Sequence, residues 1–160
     1  MDENKLGSLY TKIAQTVIQM IPEDWKKVYL YGEITEDVGK TFFYYYPEGE
    51  EKPVYFYDVP ELFNIDKEQF KLLWHQLLDE LQELWEEFKN AGQDPWTNLT
   101  LIFDNQGEFK INYNYQDLSD ADDNERSIVW EYEYLGFVPE DEDDKRFLEE
   151  YLNSIKENDE

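Results

Sequence analysis

Cysteine is absent from the 160 residues, histidine occurs once, at His75, and basic residues are few: 14 Lys and Arg against 39 Asp and Glu. Without cysteine there is no disulfide framework, no thiolate metal site and no cysteine nucleophile. One histidine gives a His-based triad little support. His75 also falls about 130° from the apolar stripe of its helix, at 100° per residue, and so reads as a solvated position. The seven glycines are scattered as turn and cap residues and form no phosphate-cradling loop. Purely apolar runs last only a few residues, far short of a membrane span. The start, Met1-Asp2-Glu3-Asn4-Lys5, lacks the basic and apolar segments of a secretion signal. The expectation is a cytoplasmic, acidic, soluble protein. Its net charge of −25 repels nucleic acid and anionic membrane alike, so neither is expected as a direct partner.

A core is nonetheless provided for, since 41% of the residues are hydrophobic and 18% aromatic. The length suits one domain, expected over 1–156, with 157–160 as a fraying acidic tail. Leu6, Leu9, Tyr10, Ile13, Val17, Met20 and Ile21 recur at helical spacing, and Pro22 stops that helix. Val28, Leu30 and Ile34 alternate with polar and tyrosine positions as in a strand. A turn at Glu36-Asp37-Val38-Gly39 joins it to the aromatic run Phe42–Tyr46, making a hairpin. Val54 to Tyr57 reads as a third strand ended by Pro60. A second helix follows, capped by Asp66 with Gln69 at the capping-box position and Ile65 and Phe70 as a hydrophobic staple. Its stripe runs from Phe70 to Phe88, Gly92 fits a left-handed cap, and Asp79, Glu80, Glu83, Glu86 and Glu87 fill the opposite face and its borders. Leu99, Leu101 and Phe103, the turn Asp104–Gly107, and Phe109, Ile111, Tyr113 and Tyr115 make a second hairpin. Residues 127–135 alternate like a strand but are punctuated like a helix, by Asp122 or Asp123 before and Gly136 after; helix is the reading taken. A last helix over 143–155 turns Phe147, Leu148, Tyr151, Leu152 and Ile155 inward. The fold class is α+β, a single domain of antiparallel hairpins packed against three or four helices.

Catalytic chemistry finds little foothold. With 39 acids, carboxylate pairs are inevitable, but none sits in an apolar context that would raise its pKa for acid–base work. Asp120-x-Asp122-x-Asn124, with Glu131 in the twelfth place, fills several slots of a calcium loop, yet Glu125 stands where that loop needs glycine. A solvated loop capping the next helix accounts for the same residues, so no metal and no cofactor is expected. The run Phe42–Tyr46 puts rings on both faces of its strand. The outward rings, with Tyr29 and Tyr31, fit either a protein-binding patch or a face covered by another element.

Several phrases taken together resemble a known family. Leu9-Tyr10-x-x-Ile13-Ala14 and Met20-Ile21-Pro22-Glu23-Asp24-Trp25-x-Lys27-Val28-Tyr29-Leu30-Tyr31 are similar to the opening of the YezG/EsaG-type immunity proteins. The likeness continues through Phe43-Tyr44-Tyr45-Tyr46, Asp58-Val59-Pro60, Leu84-Trp85-Glu86-Glu87-Phe88-Lys89 and Trp96-Thr97-Asn98-Leu99-Thr100. It ends with Gly107-x-Phe109-x-Ile111-x-Tyr113 and Glu125-Arg126-x-x-x-Trp130-x-Tyr132-x-x-Leu135-Gly136. The resemblance implies a cytoplasmic antitoxin, not an enzyme, that binds the C-terminal nuclease domain of a cognate secreted toxin and holds it inactive.

A nuclease must present cations to phosphate, so carboxylates placed where phosphates would sit can compete for them. On that expectation the contact residues are the acidic loop Asp117, Asp120, Asp122, Asp123 and Glu125, helped by Tyr44 and Tyr46. Glu140 to Asp144 is a second candidate stretch, with helix capping as its alternative use. A generic acidic module for some other basic partner stays open beside the antitoxin reading.

Overall fold

A computed structural model describes residues 2–159, whose contacts fall into two compact units, Met1–Gln116 and Asp117–Glu160. The first unit begins with α1 (Glu3–Met20), whose N-cap Asp2 accepts hydrogen bonds from the amides of Asn4 and Lys5. Leu9, Ile13, Thr16, Val17 and Met20 form its buried stripe, one residue every three or four, as a 3.6-residue period requires. A five-stranded antiparallel sheet follows, built from β1 (Trp25–Ile34), β2 (Gly39–Pro47), β3 (Val54–Tyr55), β4 (Asn98–Asp104) and β5 (Phe109–Asn114). The strands lie in the order β3-β2-β1-β4-β5, so the two hairpins read from the sequence are joined by pairing of β1 with β4.

Register puts like with like. Leu30 on β1 lies opposite Phe43 on β2 and Leu101 on β4, while Val28 lies opposite Tyr45 and Phe103. All six are buried, and side chains of this size each contribute roughly 1.5–3 kcal/mol on leaving water. The long helix α3 (Lys67–Asn90) packs on β1 and β2 and carries α1 on its flank. Gly32 sits under that helix. A Cβ there would stand 3.1 and 3.2 Å from the two methyls of Leu81, a tight contact to which the Leu81 side chain would have to yield by a few tenths of an ångström. The ends of α3 are as the sequence marked them. Asp66 caps the amides of Glu68 and Gln69. Gly92, at φ +74°, lets Gln93 N–H reach Phe88 O and Gly92 N–H reach Lys89 O, a Schellman closure.

Two expectations for this unit are corrected. Only Val54 and Tyr55 pair as strand; Phe56–Asp58 turns into a 3-10 helix and leads into a short α2 (Val59–Phe63). Pro60 therefore starts a helix rather than ending a strand, because a first-turn residue has no intrahelical N–H bond to lose. Glu80, assigned to the solvated face, is 4% exposed at the α1–α3 contact. There it accepts a 2.5 Å hydrogen bond from the Thr16 hydroxyl, which Gln76 Nε2 also reaches at 3.2 Å. Lys5–Glu87 at 2.8 Å and Lys12–Glu83 at 3.2 Å tie the same two helices at their solvated borders.

The second unit holds α4 (Asp123–Leu135) and α5 (Glu142–Asp159), which pack on each other. Residues 127–135 are thus helical, as the punctuation indicated: Asp122 caps α4 and Gly136, at φ +73°, closes it. On α5 Leu148 is buried, but Ile155, expected inward, is 37% exposed. The helix takes in the acidic tail as far as Asp159, and Glu160 lies outside the described residues.

Burial holds the Glu80 carboxyl above its ordinary 4.5; the Thr16 hydroxyl, Lys12 and Gln76 pull it back, and Glu83 pushes it further. A raised carboxyl binds more protons folded than unfolded, so it costs stability as pH rises through its folded pKa. Glu80→Gln should match the parent in acid and overtake it as pH climbs from about 4.5 to 7. Denaturant midpoints of the two proteins across that range give the comparison; parallel curves would show that Glu80 ionises as freely as in water.

Candidate functional site

The second unit concentrates the charge. From Asp117 to Glu160 the chain carries 17 of its 39 acidic residues but 4 of its 14 basic ones, so about half of the net negative charge sits in about a quarter of the length. All five acidic residues expected to contact a partner, Asp117, Asp120, Asp122, Asp123 and Glu125, are exposed. They are not equivalent. Asp117 folds its own loop, its Oδ1 accepting the Ser119 amide at 2.9 Å. That backbone bond, and then the Ser119 side chain, hold its carboxyl below the usual range. Asp122 caps α4 through the Glu125 amide at 3.0 Å. Asp123 pairs with Arg126 one turn on. Asp120 and Glu125 complete the set.

The stretch Glu140–Asp144 divides in the same way. Asp141 caps α5, accepting the Asp144 amide on Oδ2 at 3.1 Å and the Lys145 amide on its carbonyl at 2.9 Å. Asp143 lies 3.7 Å from Arg146. Asp144 turns the other way, towards α4, where Asn124 Nδ2 donates to its Oδ1 at 3.1 Å. That bond joins the first turn of α4 to the first turn of α5. Two acidic stretches read separately in the sequence are therefore one surface, with ten carboxylates on or beside two helix N-termini. A helix N-terminus carries roughly half a positive charge, which eases the crowding of carboxylates around it. Among the described residues no group of three or more His, Asp or Glu side chains is arranged to hold a metal ion, and the aspartate in the third slot of the calcium-like spacing, Asp122, is turned to its cap.

The two tyrosines belong to the first unit. Tyr44, expected to face outward, is only 9% exposed: its ring lies 4.9 Å from Tyr55 on β3 and edge-on to Phe42, which in turn stacks on Tyr31 at 5.2 Å. Tyr46 is half-buried, edge-on to Tyr29 at 6.0 Å. Burial, and then Tyr29, raise its phenol pKa. His75 is exposed. Among the described residues no helix is long and apolar enough to cross a membrane.

Residues 6–149 match the sequence profile of the YezG-like immunity proteins. The chain belongs to this family. It is 41% identical to the immunity protein YezG of Bacillus subtilis over 149 residues, 92% of this chain and 99% of that protein. It is 38% identical to the immunity protein YezG of Bacillus spizizenii over 156 residues, 96% and 97% of the two chains. The type VII secretion system protein EsaG of Staphylococcus aureus is 32% identical over 160 residues, 97% and 98% of the two chains. YezG-like immunity proteins are inhibitors rather than enzymes. The family match runs from the first unit into the second.

What the sequence missed here is the contact of Asn124 with Asp144. No spacing or composition announces it, since Asn124 and Asp144 lie on different helices 20 residues apart. The roles of the individual acids also separate experimentally. Asp122→Ala should lower stability by about 1 kcal/mol through loss of its cap, whereas Asp120→Ala should change it by less than about 0.5 kcal/mol. Urea unfolding of the intact chain distinguishes them, and equal costs would mean that the cap contributes nothing.

Proposed function

We propose that this immunity protein acts in the cytoplasm against the C-terminal nuclease domain of a cognate secreted toxin, covering the nuclease's cationic surface with its own carboxylates. The observation that carries this reading is the meeting of two acidic stretches at the first turns of α4 and α5. A nucleic acid offers its enzyme a dense row of fixed negative charge. A pair of helix starts crowded with aspartate and glutamate offers a folded substitute. Their backbone is already helical before the partner arrives, which spares part of the entropy that a flexible acidic tail would lose. Family membership supports a toxin as partner, since relatives over nearly the full length are immunity proteins. Asp120, Asp123 and Glu125 are the leading contacts, with Asp117 and Asp122 shaping the loop. Of the two tyrosines, the half-buried Tyr46 is the more accessible for aromatic contact, and Tyr44, packed on Tyr55 and Phe42, is the lesser. The whole span 1–156 serves as one immunity domain.

The second reading, an acidic module for a different basic protein, rests on the charge alone. A pull-down from cells expressing the cognate toxin decides between them: one nuclease at equal stoichiometry supports the antitoxin, and a spread of basic proteins supports the module.

Electrostatic capture makes a kinetic prediction. The association rate with the toxin's nuclease domain should fall at least tenfold between about 20 and 500 mM salt, as steered encounters do. The variant Asp120→Lys, Asp123→Lys, Glu125→Lys should lose that dependence and inhibit nuclease activity less. Stopped-flow binding reads the first and a nucleic-acid cleavage assay the second; a salt-independent rate would remove steering from the account.

A further inference from the structure

Beside the Asn124–Asp144 contact lies a cleft of about 260 Å³. One wall is the face of α4 formed by Asn124, Ser127, Ile128 and Glu131. The other is the chain leaving α4. The chain turns at Gly136, at φ +73°, Phe137 N–H returns to Glu131 O at 3.3 Å, and Phe137, Val138 and Pro139 line the cleft together with Ile128. Asp144, in the first turn of α5, also lines it. Val138, 53% exposed, stands at the rim.

We propose that this cleft receives an arginine side chain of the cationic partner; the inference rests on the functional reading above and locates its anchor. Size is the first reason. Sites for whole small molecules run from about 300 to 1,000 Å³, and this one is smaller, fit for a single long side chain. Lining is the second. Ile128, Phe137, Val138 and Pro139 give an apolar slot for a methylene stem, and the carboxylates of Glu131 and Asp144 give acceptors for the charged head. Asp144 is held in position by the Asn124 amide, and an ionised carboxylate has acceptor sites beyond the one that this bond occupies. The third reason is shape. A guanidinium is planar, lies flat on apolar and aromatic surface, and offers five N–H groups in a fork, whereas a lysine ammonium is a compact, strongly hydrated point charge. A slot whose lining combines four apolar side chains with two carboxylates suits arginine. It also converts a diffuse acidic surface, which steers, into a socket that retains, and interface energetics concentrate in such anchored arginines.

The test has two arms. In the first, the intact labelled protein is titrated with N-acetyl-arginine methylamide and, separately, with the lysine analogue, followed by amide NMR. Shifts concentrated at Ser127, Ile128, Glu131 and Val138, with arginine binding several-fold tighter than lysine, are expected. Shifts spread evenly over every acidic stretch, or equal affinity for the two, would overturn the proposal. In the second arm the nuclease domain of the cognate toxin is bound to the parent, to Glu131→Gln and to Val138→Trp, which fills the slot from its exposed rim. Both variants should unfold at the parent's temperature and bind at least tenfold more weakly, through faster dissociation. Full affinity in both would refute the socket and leave the antitoxin reading standing. A parent that binds no toxin domain would sink that reading instead, and the arginine titration would then decide the cleft alone.

Discussion

Self-repulsion is the constraint that the structure has to satisfy. A chain with 25 more negative than positive groups gains entropy and loses Coulomb energy by opening, so the fold must place its carboxylates where they cost least. It does so in three ways. On the first unit lysines are spent where helices meet: Lys5 and Lys12 of α1 pair with Glu87 and Glu83 of α3, and Lys89 reaches Glu36. On the second unit, where cations are scarce, helix starts take over; Asp122 and Asp141 satisfy first-turn amides that would otherwise be unbonded. At the α1–α3 seam the buried Glu80 carboxyl is held by the Thr16 hydroxyl, with Gln76 and Lys12 also favouring its charge.

The consequence is a division of labour. The sheet with its two long helices is an ordinary apolar assembly whose register brings Leu30, Phe43 and Leu101 side by side. It owes little to charge. The short helical unit works the other way: 17 acidic residues crowd it, and three of them, Asp117, Asp122 and Asp141, accept backbone amides of their own loop or helix start. These carboxylates sit on folded helices, which separates them from the acidic tails that also attract basic proteins.

Much of the architecture was legible because it depends on local periodicity. The stripes of α1 and α3, the two hairpins, the Asp66 cap and the Gly92 closure follow from spacing and from the chemistry of single residues. Residues 127–135 show the limit: Ile128, Trp130, Tyr132 and Tyr134 alternate as a strand would, and only the caps at Asp122 and Gly136 tip the balance. Where a residue's place depends on distant chain, the sequence was mute or misleading. Glu80 looks solvated on the wheel of α3 until α1 is laid over it with Thr16 in front. Tyr44 looks outward until β3 brings Tyr55 alongside. The acidic site was half legible: its residues could be named, but the union of 117–125 with 140–144 hangs on one amide–carboxylate bond that composition does not announce.

The strand order has a temporal consequence. β1 lies at the centre of the sheet, and one of its neighbours, β4, is reached only after β2, β3, α2 and the whole of α3 have been traversed. Each hairpin closes a short loop and can zip early, whereas uniting them demands a long-range encounter whose entropic cost must be met first. On the ribosome, the nascent amino-terminal hairpin therefore waits with one flank of its central strand bare until the stretch beyond α3 has been translated.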